Sequence, residues 1–210
     1  MIKMIITLIV VNLQLTLVPG QTEWTFVAGR GEIRVYSRKV SGSRIKALKA
    51  ECTMHATVAE VVDLMKDIPA TGKWMCHTKR CYLLKRVSEN ELFYYTEVSL
   101  PWPLDNRDFV SHMTIAEDPA SQVVTVNTPA VPGHIPVKNG LVRITGSESR
   151  WTITPVGDAK VRLEYMLRVD PGGIIPSHIV NYFALQAPFE TFDKMKAQIL
   201  ARRSRRAADK

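Results

Sequence analysis

Along most of the chain, apolar side chains recur at alternate positions in short runs broken by turn residues, the two-residue period of strands. Such runs lie near 32–39, 44–54, 81–87, 92–100, 107–116, 122–128, 141–146, 149–154 and 160–169. Ser41-Gly42, Asp118-Pro119, Asn139-Gly140 and Gly157-Asp158 supply turn signals between them. The pattern predicts a mainly antiparallel sheet. Two stretches change period. Thr57-x-x-Glu60 forms a capping box, and Val58, Val61, Val62 and Met65 follow at helical spacing, which predicts a short amphipathic helix ending near Ile68-Pro69. After the Pro-Gly-Gly turn at 171–173, Ser177 is placed to cap a longer helix with Ile179, Val180, Phe183 and Ala187 on one face. Phe189, Phe192, Met195 and Ile199 carry the stripe past Pro188, whose missing amide donor predicts a kink or a restart. So long a stripe must find a sheet to lie on. Core closure accounts for most of it; the sharper alternative is that part of it covers a cavity.

A chain of 210 residues, 46% apolar and 23% charged, has the make-up of one soluble globular domain with a sizeable core. Its formal charge of +8 draws it to anionic surfaces, phospholipid or nucleic acid, without choosing between them. The first twenty residues look different. Lys3 forms a short positive region, Met4 to Val11 is apolar apart from Thr7, and Asn12 and Gln14 interrupt a weaker extension that ends at Pro19-Gly20. Val18 and Gly20 occupy the small-residue positions before Gln21, so residues 1–20 are expected to be a cleaved signal peptide and the protein to be exported, periplasmic or secreted. An uncleaved anchor is the alternative, but the run falls short of the roughly 18 to 20 apolar residues that a spanning helix needs. The domain is then expected over 21–201, with a basic tail at 202–210.

Cys52 falls in a strand, while Cys76 and Cys81 flank the basic segment MCHTKRC, whose ends meet if it forms a loop. An oxidising compartment leaves two states open, a Cys76–Cys81 disulfide or three small apolar thiols. His77 has no second His or Cys pair at ligand spacing, so no metal is expected.

Four short motifs stand in a fixed order: GEIRVYSR at 31–38, PWPLDNRDFV at 101–110, GLVR at 140–143 and DPGGIIPSHIVN at 170–181. None is a catalytic signature. Together they resemble the START domain, the steroidogenic-acute-regulatory-protein-related lipid transfer module, over roughly residues 24 to 200. The resemblance implies an α+β helix-grip fold, in which a curved antiparallel sheet wraps around a long C-terminal helix with an internal apolar cavity for one lipid. It also implies a gate made by that helix and a loop between two strands, here Thr128 to Gly140, whose Val131, Ile135 and Val137 provide an apolar side.

In steroid-binding members of the family, an arginine equivalent to Arg107, an acid in the preceding strand and a second arginine after the RDFV motif lie in or beside the cavity. Glu97 is the match for the acid here. Met113 stands where the second arginine would be, which moves the expectation away from cholesterol. Arg107 and Asp108 are also costly to bury unless paired, so a structural ion pair is the alternative role. Arg143, alternating with Val142 and Ile144 in a strand, either anchors a headgroup or braces Glu97. Trp151 and Tyr165 are bulky enough to wall the tunnel, or to be plain core, and Ile179, Phe183, Ala187 and Phe192 form its helical side. Burial of a ligand's apolar chain, at about 25 cal/mol per Å², supplies the rest of the affinity.

The sequence has no G-x-S-x-G elbow, H-E-x-x-H, P-loop or Gly-rich dinucleotide turn, and His55, His77, His112, His134 and His178 are scattered. A cavity enzyme of the polyketide cyclase or aromatase type, which shares the helix grip, is the alternative function. A third class follows from ARRSRRAADK at 201–210, whose four arginines suit anionic lipid better than nucleic acid in an exported protein. The expectation is a monomeric, non-enzymatic carrier of one lipid or other hydrophobic small molecule. It touches anionic membrane surfaces transiently, and uses neither cofactor nor nucleic acid.

Overall fold

The computed structural model describes residues 23–208 apart from Ile174. The expected signal peptide, 1–20, lies outside the described residues. Strands β1 (Thr25–Arg30), β2 (Ile33–Arg38) and β3 (Ala47–Met54) are followed by helix α1 (Val58–Lys66) and a 3-10 segment (Ile68–Lys73). Then β4 (Thr78–Ser88), β5 (Glu91–Val98), β6 (Asn106–Glu117), β7 (Val124–Asn127), β8 (Leu141–Arg143), β9 (Gly146–Pro155) and β10 (Val161–Asp170) precede helix α2 (Ser177–Ala208). The ten strands make one curved sheet in the order β1-β2-β3-β10-β9-β7-β6-β5-β4, with β8 parallel to β6 and the other neighbours antiparallel.

Helix α1 starts where the Thr57 hydroxyl accepts the Glu60 amide at 3.2 Å and the Glu60 carboxylate accepts the Thr57 amide at 2.8 Å. It ends at Lys66, and the chain tightens into the 3-10 segment with Pro69 in its first turn, so a separate turn replaces the expected tail of the helix. β1 was absent from the alternating runs because five of its six residues are exposed. It is held by pairing with β2 across the Gly31-Glu32 turn, where Gly31 adopts φ +54°.

The carbonyl of Pro176 accepts the Ile179 amide at 3.0 Å, so Ser177 is the first residue of α2 rather than its cap. Of the expected kink or restart, the restart does not occur, since the helix runs through Pro188 as one element. Proline removes one backbone bond there, and side-chain burial on the next turns compensates. Phe189, Phe192, Met195 and Ile199 join Val35, Ala50, Ile153 and Leu163 of the sheet and Val61, Leu64 and Met65 of α1 in one apolar core.

The cysteines are free thiols, and burial pushes the pKa of each above its ordinary value. The Cys76 amide donates to the Thr191 hydroxyl of α2 at 3.3 Å, whereas Cys81 Sγ lies 3.5 Å from Thr96 Oγ1 of β5. The two flanks of MCHTKRC are thus tied to different elements, and the open alternative resolves to thiols.

The arginines expected as a basic tail continue α2 as far as Ala208, and three of them pair with the α1 region. Arg203 meets both Glu60 carboxylate oxygens at 2.6 Å, Arg202 pairs with Asp67, and Arg206 lies 3.4 Å from Asp63. Helical spacing puts 202, 203 and 206 on one side of α2. Arg205 alone of the four has no acidic partner among the described residues. The Arg203 hydrogen bonds, chiefly, hold the Glu60 carboxyl down to about 2. A carboxyl depressed on folding adds stability above its unfolded value of 4.5, and that stability is lost as pH falls toward 2. With solvent screening at this rim, Glu60→Gln is expected to cost about 1 to 2 kcal/mol at neutral pH and almost nothing near pH 2, read by urea unfolding at both.

Candidate ligand cavity

A cavity of about 260 Å³ lies between the sheet and the first part of α2. Because side chains alternate along a strand, one parity of each strand faces it. These are Tyr94, Thr96 and Val98 of β5, Arg107, Phe109, Ser111 and Met113 of β6, Ser147, Ser149 and Trp151 of β9, and Tyr165, Leu167 and Val169 of β10. The helix contributes Ile179, Val180, Phe183, Ala184 and Ala187, and the segment before β4 contributes Trp74 and His77. No residue of α2 from 177 to 187 is fully buried, whereas Pro188, Phe189, Thr191, Phe192, Met195 and Ile199 are. The first part of the helix therefore spans the void and the second seals the core.

Of the expected contacts, Arg107, Met113, Trp151, Tyr165, Ile179, Phe183 and Ala187 come together on this cavity; Glu97, Arg143 and Phe192 do not. Glu97 follows Thr96 in β5 and so points to the opposite face. There its carboxylate accepts from Lys79 Nζ at 2.8 Å and Asn106 Nδ2 at 3.4 Å, and Lys79 in the main holds it below the usual carboxylate range. Asp108, opposite Glu97 in the β5–β6 register, shares that face, and Arg143 braces Asp108 instead of Glu97. Arg143 Nε donates to Oδ1 at 2.7 Å and Nη2 to Oδ2 at 3.0 Å, and the same guanidinium donates to the carbonyls of Ile135 and Pro136 at 3.1 and 3.0 Å. This pairing raises the Arg143 pKa further. Phe192 is fully buried and meets Trp151 edge-on at 5.9 Å.

The loop expected as part of a gate touches the cavity only at Thr128. The Val131 amide donates to the Val110 carbonyl at 2.8 Å, the His134 ring lies 4.6 Å from that of Phe93, and Lys138 Nζ stands 3.8 Å over the Tyr95 ring. Val110, Phe93 and Tyr95 have the parity opposite to the cavity residues, so the loop covers the outer face of β5 and β6.

Arg107 is buried on the cavity side with no carboxylate partner among the described residues, so the ion pair with Asp108 is not formed. It donates to the carbonyls of Pro171 and Gly172 at 3.2 Å each and to that of Asp105, and burial pulls its pKa below the ordinary arginine value. These bonds tie β6 to the β10–α2 turn. Gly172 there adopts φ +64°, and a Cβ on it would stand 3.3 Å from Val142 Cγ1.

Sequence reasoning passed over Trp74, Tyr94, Ser111, Thr128 and Ser149 as cavity residues. Ser111 was accessible to it, since it shares a strand face with Arg107 and Met113. Burial pushes the Tyr94 phenol up to about 12, and that of Tyr165 also rises. Both tyrosines nevertheless keep accessible surface. Both line the cavity. Tyr165 in turn stacks on Trp151 at 4.2 Å, and Trp151 meets Trp74 edge-on at 6.0 Å.

The START domain family model matches residues 13–201 of this sequence. The chain belongs to the START domain family. Among solved structures it is similar to the STAR-related lipid transfer protein from Xanthomonas axonopodis, at 32% identity and a TM-score of 0.78 over 84% of this chain and 98% of that one. It is 29% identical over 175 residues to an uncharacterized protein of Pseudomonas aeruginosa, covering 83% of this chain and 86% of the other. The phosphatidylcholine transfer protein of the mouse is 26% identical over 129 residues, 60% of this chain and 59% of that protein. The helix-grip arrangement of START domains is the one described above, sheet around α2. Within it, Met113 presents a thioether to the cavity.

Proposed function

We propose that this START protein holds one lipid or comparable hydrophobic molecule in the cavity beneath α2 and carries it between membranes as an exported monomer. The observation that carries the reading is an interior void with largely apolar walls, covered by the half of α2 that is nowhere fully buried. The relatives from Xanthomonas axonopodis and mouse are named for lipid transfer and phosphatidylcholine transfer, which supports the ligand class. Lys3 followed by the apolar run Met4 to Val11 supports export. At about 260 Å³ the cavity is smaller than the roughly 300–1,000 Å³ usual for small-molecule sites, so a long acyl chain requires Ser177–Ala187 to move outward.

Native mass spectrometry after expression of the full chain in a bacterial host reads each part of the proposal. The expected spectrum is a monomer beginning at Gln21 with one lipid-sized adduct, identified by solvent extraction. A ligand-free protein that also takes nothing from mixed phospholipid vesicles would overturn lipid carriage. A retained N terminus would overturn export by cleavage.

A further inference from the structure

We propose that the cavity selects a lipid whose enclosed polar group is uncharged, a hydroxyl, ester or amide, and that a belt of hydroxyl side chains across the middle of the sheet recognises it. The inference rests on the lipid-binding reading above and narrows its ligand class.

The belt follows from register. Tyr94 of β5 is paired with Ser111 of β6, Ser111 bridges to Ala130 beyond β7, and the Thr128 amide donates to the Ser149 carbonyl of β9 at 2.8 Å. Ser149 is in turn paired with Leu167 of β10, two residues from Tyr165. All four hydroxyl residues of this row, and Tyr165 beside it, line the cavity. Two of these side chains are linked directly, the Thr128 and Ser149 hydroxyls sharing a hydrogen bond. A hydroxyl both donates and accepts, so the row can meet either half of a neutral polar group.

Charge is arranged differently. No Asp or Glu is among the lining residues, so an ammonium in the belt would have no counter-ion. The lining cation, Arg107, already spends hydrogen bonds on three carbonyls near the β10–α2 turn. His77, the other titratable base on the wall, has its ring 6.1 Å edge-on to Phe183. A carboxylate or phosphate centred on the belt would have to shed its water for neutral hydroxyls alone. Two further polar atoms near the cavity have no partner among the described residues. These are Trp74 Nε1 and Thr78 Oγ1, both buried and both on residues lining the cavity.

The test is equilibrium binding of four sixteen-carbon probes delivered from cyclodextrin: hexadecanol, monopalmitin, hexadecane and palmitate at pH 8. They are compared on the native protein and on Tyr94→Phe and Ser149→Ala, with thermal melts verifying that each variant folds. We expect hexadecanol and monopalmitin to bind at least about tenfold tighter than hexadecane and palmitate, the range of one well-made hydrogen bond. Each variant should shrink that preference, taken as the ratio of hexadecanol to hexadecane affinity on the same protein, to about twofold. Tightest binding by palmitate, equal binding of hexadecanol and hexadecane, or an undiminished preference in both variants would overturn the belt while leaving lipid binding intact. Binding of none of the four would overturn both.

Discussion

Arg143→Leu is expected to lower the free energy of unfolding by about 3 to 5 kcal/mol. Asp108 is fully buried, and Arg143 is its ion-pair partner among the described residues. Removing the guanidinium leaves a carboxylate without water or counter-ion, on the face it shares with Glu97. It also deprives the Ile135 and Pro136 carbonyls of their donor, so the loop over β5 and β6 loses one of its ties. Urea unfolding reads the loss. The double variant Asp108→Asn, Arg143→Leu should recover much of it, because the stranded charge is gone and only hydrogen bonds are missing. Molecules that remain folded should hold ligand as before, since neither residue lines the cavity. An Arg143→Leu protein of native stability that no longer holds lipid would reverse the assignment.

Phe192→Ala should cost a further about 3 to 5 kcal/mol on its own, against about 1 kcal/mol for Phe183→Ala. The two phenylalanines stand on one helix but in different surroundings. Phe192 has no exposed surface and packs on Trp151 in the core, so its truncation leaves a void lined by side chains that cannot collapse. Phe183 is only half-buried, on the cavity wall opposite His77. Its loss widens an existing space, and its effect should appear in which ligand co-purifies rather than in stability. Urea midpoints together with the adduct mass separate the two. Equal losses of stability would mean that both halves of α2 are packed alike.

The strand pattern, the capped first helix and the long apolar stripe were legible because each depends on local period and local hydrogen bonding. Motif order carried the fold from there. Which face of β5 and β6 lines the cavity was not legible, because the loop at 129–140 covers the other face and both parities are buried. An alternation that normally separates inside from outside is then mute, and Glu97 and Arg143 were placed inside on the family resemblance. Arg107, Met113, Trp151 and Tyr165 line the cavity because they lie on the face that motif and bulk favoured. The pairing of Arg202, Arg203 and Arg206 with α1 joins residues some 135 to 143 positions apart, a separation at which sequence spacing carries no information. The same basic cluster read by itself looked like a membrane tether.

Those pairs make α2 a cantilever. Its far end is clamped to α1 by three guanidinium–carboxylate contacts and by the aromatic core, while the arm from Pro188 back to Ser177 lies over the cavity, held more lightly by Leu185 at the core's edge and by Asn181 bonds to Arg44 and Lys46. At 1.5 Å per residue that arm is about 16 Å long, so a tilt of about 15° at the proline, where one rung of the helix ladder is missing, lifts its tip by about 4 Å. That is about the thickness of an extended hydrocarbon chain, and the leverage leaves the sealed half of the helix from Phe189 onward in place.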